Sequence, residues 1–206
     1  AGMVLGKYDR DGYGGRGYPG IAPGGAAGPT LDDISKSMIA SDEHIDDFYS
    51  GGYGAEGDDV ASPHTDFNCL ADFMGTSQDS VGLPNGSTAF YFSTAGRVTR
   101  SLIEGAGVKD RSGMYGIYEY LDAMGYGGAV SSVYNQYIGT LVSGGFTWQD
   151  FRNEIDAGRP LIVHVEGHSM MAYGYDAANG TISIDNTWSS GTQQMPWGGS
   201  YYGREM

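Results

Sequence analysis

The last third of the chain most restricts what it can fold into. From residue 147 a helical stretch, "TWQDFRNEIDAG", is followed in quick succession by "RPLIVHVEG", "HSMMAYGYD" and "TISIDNTW". Thr147 is placed to cap the helix and Gly158 to stop it. The three runs that follow are short, apolar and β-favouring, and they read as strands. The last two are joined through "AANG", whose Asn-Gly pair favours a tight hairpin. A mostly antiparallel sheet is therefore expected here.

The earlier two thirds read as helices and loops. "AGMVLGKY" (1–8) looks like the body of a buried helix, with no capping residue at its start and a first turn expected before Ala1. Residues 9–29 are rich in Gly and Pro and predict a loop. Leu31, Ile34, Met38, Ile45 and Phe48 recur near helical spacing. "PHTDFNCLADFMG" (63–75) offers Asp66 as a cap and Gly75 as a stop, and "GSTAFYFS" suggests an extended piece. Residues 112–128 and 130–145 predict two further helices punctuated by glycine. Helices first and a sheet afterwards give an α+β order. One domain over 1–206 is expected, with a helical lobe at 1–145 and a β-rich lobe at 146–206.

Composition narrows the partners. Lys+Arg 11 against Asp+Glu 25 gives a formal charge of −14, which argues against nucleic acid and anionic membrane surfaces. No apolar run approaches the roughly 20 residues that span a bilayer, so no membrane insertion is expected. Gly 36 and Tyr 16 with few lysines are common in secreted bacterial proteins, so an extracellular or cell-surface location is expected. A Gly- and Tyr-rich surface also leaves self-assembly open. The single cysteine, Cys69, excludes an internal disulfide and a Cys-based zinc site. "DRDG" (9–12) and "EGDD" (56–59) could present oxygens to calcium, but neither has the spacing of an EF-hand loop. No cofactor is expected.

Of the four histidines, His44 sits among acidic residues on a polar helix face and His64 lies in a loop. His164 alternates within a strand. His168 differs, because a glycine precedes it, an apolar strand follows it, and the returning strand ends in Asn186-Thr187-Trp188. It reads either as a structural histidine at a strand end or as a catalytic base. In nucleophilic catalysis a thiolate attacks an acyl carbon, an imidazole shares its proton, and a third group fixes the ring's orientation and tautomer. The side-chain oxygen of Asn186 could do that third job, with the indole of Trp188 shielding the bond from water.

These residues carry a resemblance. "GRPLIVHVEGHSMMAYGYD…ISIDNTW" resembles the C-terminal half of papain-like peptidases, in particular the C39-like group of secreted bacterial proteins. The resemblance implies a papain-like fold and hydrolysis of a peptide bond in a peptide or protein substrate by Cys-His-Asn acyl transfer. It implies His168 as base, Asn186 as orienting residue and Trp188 as its cover. Asp185 should point to the opposite face of its strand. "MPWGGSYYG" (195–203) looks like the strand that closes such domains. Met3-Val4-Leu5 falls where the group has Met-Val-Leu, several residues after its nucleophile, so the nucleophilic cysteine is expected upstream of Ala1.

Cys69 is the other candidate nucleophile. It is the only thiol, and the pattern puts it in the first turn of a helix, where the dipole favours a thiolate. Against it, "FNCLADFM" lacks the Pro-Thr-Ala that follows the group's nucleophile, and a buried cysteine is usually inert. The alternative to a peptidase is an inactive papain-like scaffold serving as an extracellular structural or interaction module.

Overall fold

The computed structural model describes residues 1–11, 69–76, 82–83 and 86–206. Among them are the helices α1 (Gly2–Asp11), α2 (Leu70–Phe73), α3 (Arg100–Ala106), α4 (Gly113–Ala123) and α5 (Trp148–Asp156). Strands β1 (Leu161–Val165), β2 (His168–Asp176), β3 (Thr181–Asp185) and β4 (Gln193–Pro196) follow, and then β5 (Ser200–Tyr201) and β6 (Arg204–Glu205). The first four strands form one antiparallel sheet in sequence order, and β5 pairs with β6 as a separate ribbon. This is the α+β order, with the helices ahead of the sheet.

The helical part is organised around α4. Met114, Tyr115, Ile117, Tyr118, Tyr120 and Leu121 are all buried, so apolar side chains surround most of this helix, as they do when a helix is enclosed. Leu5 of α1, Leu70, Met74, Val98 and Ile103 pack into the same cluster. Gly116 sets how closely α2 lies on α4, since a Cβ there would stand 1.8 Å from the Phe73 carbonyl oxygen.

Three boundaries differ from expectation. The stretch 130–145 is not a helix: a 3-10 turn ends at Ser132, and extended backbone then makes bridges from Val98 to Asn135 and from Ile138 to Phe146. Its β-branched residues and glycines favour extended chain, and a Cβ on Gly145 would meet the Tyr137 carbonyl oxygen at 2.6 Å. Helix α1 continues to Asp11, into the stretch expected to be loop. Cys69 is the N-cap of α2 rather than a residue of its first turn. The expected helix at 31–50 and the expected cap Asp66 lie outside the described residues. Helix α3 was not anticipated; it ends at Gly107, which takes φ 69.

The β-rich part follows its local signals closely. Thr147 and Asp150 form a reciprocal capping box at the start of α5, and Gly158 follows the helix with φ 76. Phe151 of α5 is buried against Val163, Val165, Met170, Ala172, Ile182, Ile184 and Met195. These positions alternate along β1, β2 and β3, so one sheet face is committed to α5. Ile162, on the other face of β1, packs against the helical cluster. A register shift between Ala172 and Gly174 reverses the alternation, which brings Tyr175 onto the α5 face.

Candidate active site

The site forms where the β1–β2 hairpin meets the end of β3. Val165 pairs with His168 across a turn of Glu166 and Gly167, with Gly167 at φ 66. His168 shares the parity of Met170 and Ala172, so it stands at the end of the α5 face. Asn186 continues the parity of Ile182 and Ile184 and arrives on that same face. His168 Nε2 lies 2.8 Å from the main-chain oxygen of Asn186. A carbonyl oxygen only accepts, so Nε2 must carry a proton and donate it. The neutral ring then keeps its lone pair on Nδ1, where a base needs it. The indole of Trp188 stacks on the imidazole, with centroids 3.9 Å apart and planes inclined by 21°.

The side chain of Asn186 has a different task from the one expected. It is 2 % exposed, and its Oδ1 accepts the N–H groups of Trp188 and Ser189, each at 3.0 Å. Its Nδ2 donates to Tyr201 Oη at 2.6 Å and to Ser189 Oγ at 3.2 Å. The physical reason lies in the turn after β3. Thr187 takes φ 62, a region that β-branched residues rarely enter. Asparagine suits such turns because its side chain bonds the backbone N–H groups that follow it. Asp185 points to the other face and accepts the N–H of Thr187 at 3.0 Å. The peptide oxygen of Asn186, not its amide, therefore meets the histidine.

The β5–β6 ribbon runs alongside. Tyr202 and Gly203 join its strands with φ 50 and 75, the positive pair that marks a type I′ turn. Tyr202 is 78 % exposed, and its ring lies 6.2 Å from the Trp188 indole. The Arg204 guanidinium stands 6.0 Å over that indole, and its Nη1 donates to the Glu166 carbonyl at 2.8 Å. Trp188 is 53 % exposed. Imidazole, indole and phenol thus make an aromatic shelf open to solvent on one side.

His164 occupies the opposite sheet face. Its Nδ1 lies 2.8 Å from Ser169 Oγ, and its ring packs on Phe90 and Phe92 at 4.5 and 5.7 Å. Burial pushes its pKa down to about 4. Ala1 packs against the same helical cluster as Ile162, so the start of α1 lies on the His164 side of β1.

Cys69 sits apart from this site. It is fully buried at the start of α2, the helix packed on α4, and its thiol donates to the Asp72 carboxylate at 3.1 Å. A carboxylate facing the sulfur opposes the negative charge that a nucleophilic thiolate carries. His168, Asn186 and Trp188 are thus brought together, whereas Cys69 belongs to the helical packing. His44, His64 and the "EGDD" stretch fall outside the described residues, as do the side chains of "DRDG". Among the described residues no group of three or more His, Cys, Asp or Glu is placed to hold a metal ion. Nor is any helix among them long and apolar enough to cross a membrane.

Tyr201, Ser189 and Arg204 went unnoticed in the sequence. For the turn that holds Ser189 a signal existed, because an Asn side chain readily bonds the backbone two residues on, as Asn186 does with Trp188. For Tyr201 and Arg204 the partners are remote in sequence, and no local pattern announces them.

A scan against protein-family models matches residues 68–201 to the Peptidase_C39 like family. Searches of curated proteins and of solved structures returned no match.

Proposed function

The chain belongs to the Peptidase_C39 like family, with a papain-like fold, and on that footing we propose that it hydrolyses a peptide bond by acyl transfer. His168 is the base in this reading. Its Nε2–H is held by the Asn186 main-chain oxygen, its Nδ1 has no hydrogen-bond partner among the described residues and can take the nucleophile's proton, and Trp188 covers the ring. The single observation that carries the reading is that hydrogen bond beneath the indole, because it selects the tautomer a general base requires. The nucleophile is a cysteine N-terminal to Ala1, in keeping with the likeness of Met3-Val4-Leu5 to the group's nucleophile helix; because α1 starts on the His164 side of β1, the residues before Ala1 have to bring that thiol across to His168. Substrates are peptides or proteins, and the acidic, lysine-poor composition favours a location outside the cell or at its surface.

One observation favours the second reading, an inactive scaffold. The only thiol in the sequence is buried against Asp72, away from the imidazole. Both readings are separated by one experiment. The chain is expressed with the residues encoded before Ala1 and assayed for cleavage of a peptide library, alongside Cys69→Ala. Cleavage that survives Cys69→Ala and is lost when the upstream cysteine is changed to alanine is the expected result. Absence of any cleavage, or of a cysteine there, leaves the scaffold. In the same preparation Cys69 is expected to resist thiol labelling until denaturant is added.

A further inference from the structure

We propose that the β5–β6 ribbon is a clamp that positions His168, with Tyr201 acting on one side of the imidazole and Arg204 on the other. The proposal deepens the reading of His168 as base and rests on it. The oxygen that receives the His168 proton belongs to the turn 186–189, and the Asn186 side chain holds that turn through two N–H groups. An amide does this only when its oxygen, not its NH2, faces them. The two N–H groups, which only donate, set the amide's orientation, and the buried Tyr201 hydroxyl holds it there by accepting from the Nδ2 that then faces away from the turn, at 2.6 Å.

The peptide that carries His168 is tied down separately. Arg204 Nη1 donates to the Glu166 carbonyl, and the Glu166 N–H donates to the Glu205 carbonyl, both at 2.8 Å. Gly167 leaves room for the guanidinium, since a Cβ there would lie 2.8 Å from Nη1. Both peptide segments flanking the imidazole are therefore anchored to one short ribbon. The same ribbon also surrounds the indole, with Tyr201, Tyr202 and Arg204 at 6.4, 6.2 and 6.0 Å. A two-stranded ribbon is marginal by itself. Packing of Tyr201 and Met206 on the sheet core and the contacts with the site together hold it, and those contacts act in both directions. The family match ends at Tyr201, so Arg204 and Glu205 lie beyond the matched span.

The test is nitrogen-15 NMR of the His168 ring in the full chain, near neutral pH, in wild type, Tyr201→Phe and Arg204→Met. The wild type is expected to show one tautomer, protonated at Nε2, with a slowly exchanging ring proton. Tyr201→Phe is expected to give a tautomer mixture. Arg204→Met is expected to speed exchange of that proton roughly fivefold, the equivalent of one lost hydrogen bond. A purely structural Tyr201 would lower the melting temperature and leave the tautomer untouched, and that result overturns the proposal. If Tyr201→Phe does not fold, the exposed Arg204→Met decides alone: faster exchange supports the clamp, and unchanged exchange overturns it. The NMR signature needs no turnover. A moved tautomer in a chain without cleavage would sink the peptidase reading and leave the clamp standing.

Discussion

His164 and His168 sit four residues apart, on the two strands of one hairpin, and their surroundings have little in common. His164 faces phenylalanines and a serine hydroxyl, and burial holds it neutral down to a pKa of about 4. His168 lies under a half-exposed indole, with one nitrogen committed to a peptide oxygen. The register decides between these fates: Val165 pairs with His168 and His164 with Ser169, so the two rings leave opposite faces of the sheet. A one-residue slip would put both rings on the same face. Identity and proximity in sequence therefore say little about a histidine's chemistry, whereas the face it leaves from says a great deal.

The strongest way to break this contrast is to remove each ring in turn from the chain extended beyond Ala1. His168→Gln is expected to lower kcat/KM about a thousandfold, the range for a lost general base, and His164→Gln less than tenfold. An equal or larger loss in His164→Gln would assign the base to the ring nearer the start of α1.

A second measurement uses protons. The folded-state pKa of His164 is lowered, so the unfolded chain binds the extra proton first. Stability is thus complete well above the unfolded pKa of 6.5 and falls as pH drops toward 4. Urea titrations at pH 7.5 and 5 should show a loss of about 2 kcal/mol that His164→Gln largely removes. The same loss in both proteins would mean that other groups carry the pH dependence.

The smallest expected effect concerns the rim of the shelf. A type I′ turn favours Asn where Tyr202 stands, so Tyr202→Asn should raise stability by about 1 kcal/mol while weakening substrate binding. Thermal melts and KM values check both. If stability falls instead, the tyrosine's packing on Trp188 outweighs its backbone strain.

What was legible in the sequence had local causes. Thr147 as cap, Gly158 as stop, the three strands and the Asn179-Gly180 hairpin act within a few residues, and each landed where it was read. The juxtaposition of His168, Asn186 and Trp188 was legible through the family pattern. The stretch 130–145 departs from a helix because apolar spacing there looks helical while the backbone bonds go to Val98, far back in sequence, and across a loop to Phe146. The atom of Asn186 that meets the imidazole was equally hidden. It depends on a left-handed Thr187 and on a hydroxyl fifteen residues further along.

The hydrogen bond from His168 Nε2 also sets the ring's regiochemistry. A reagent or soft metal ion that reaches the imidazole meets one nitrogen whose proton is already engaged and one with an open lone pair, while the indole closes a flat face. Acylation by a small anhydride should therefore give a single isomer, substituted at Nδ1. The ring dictates the direction of attack before any part of a substrate is recognised.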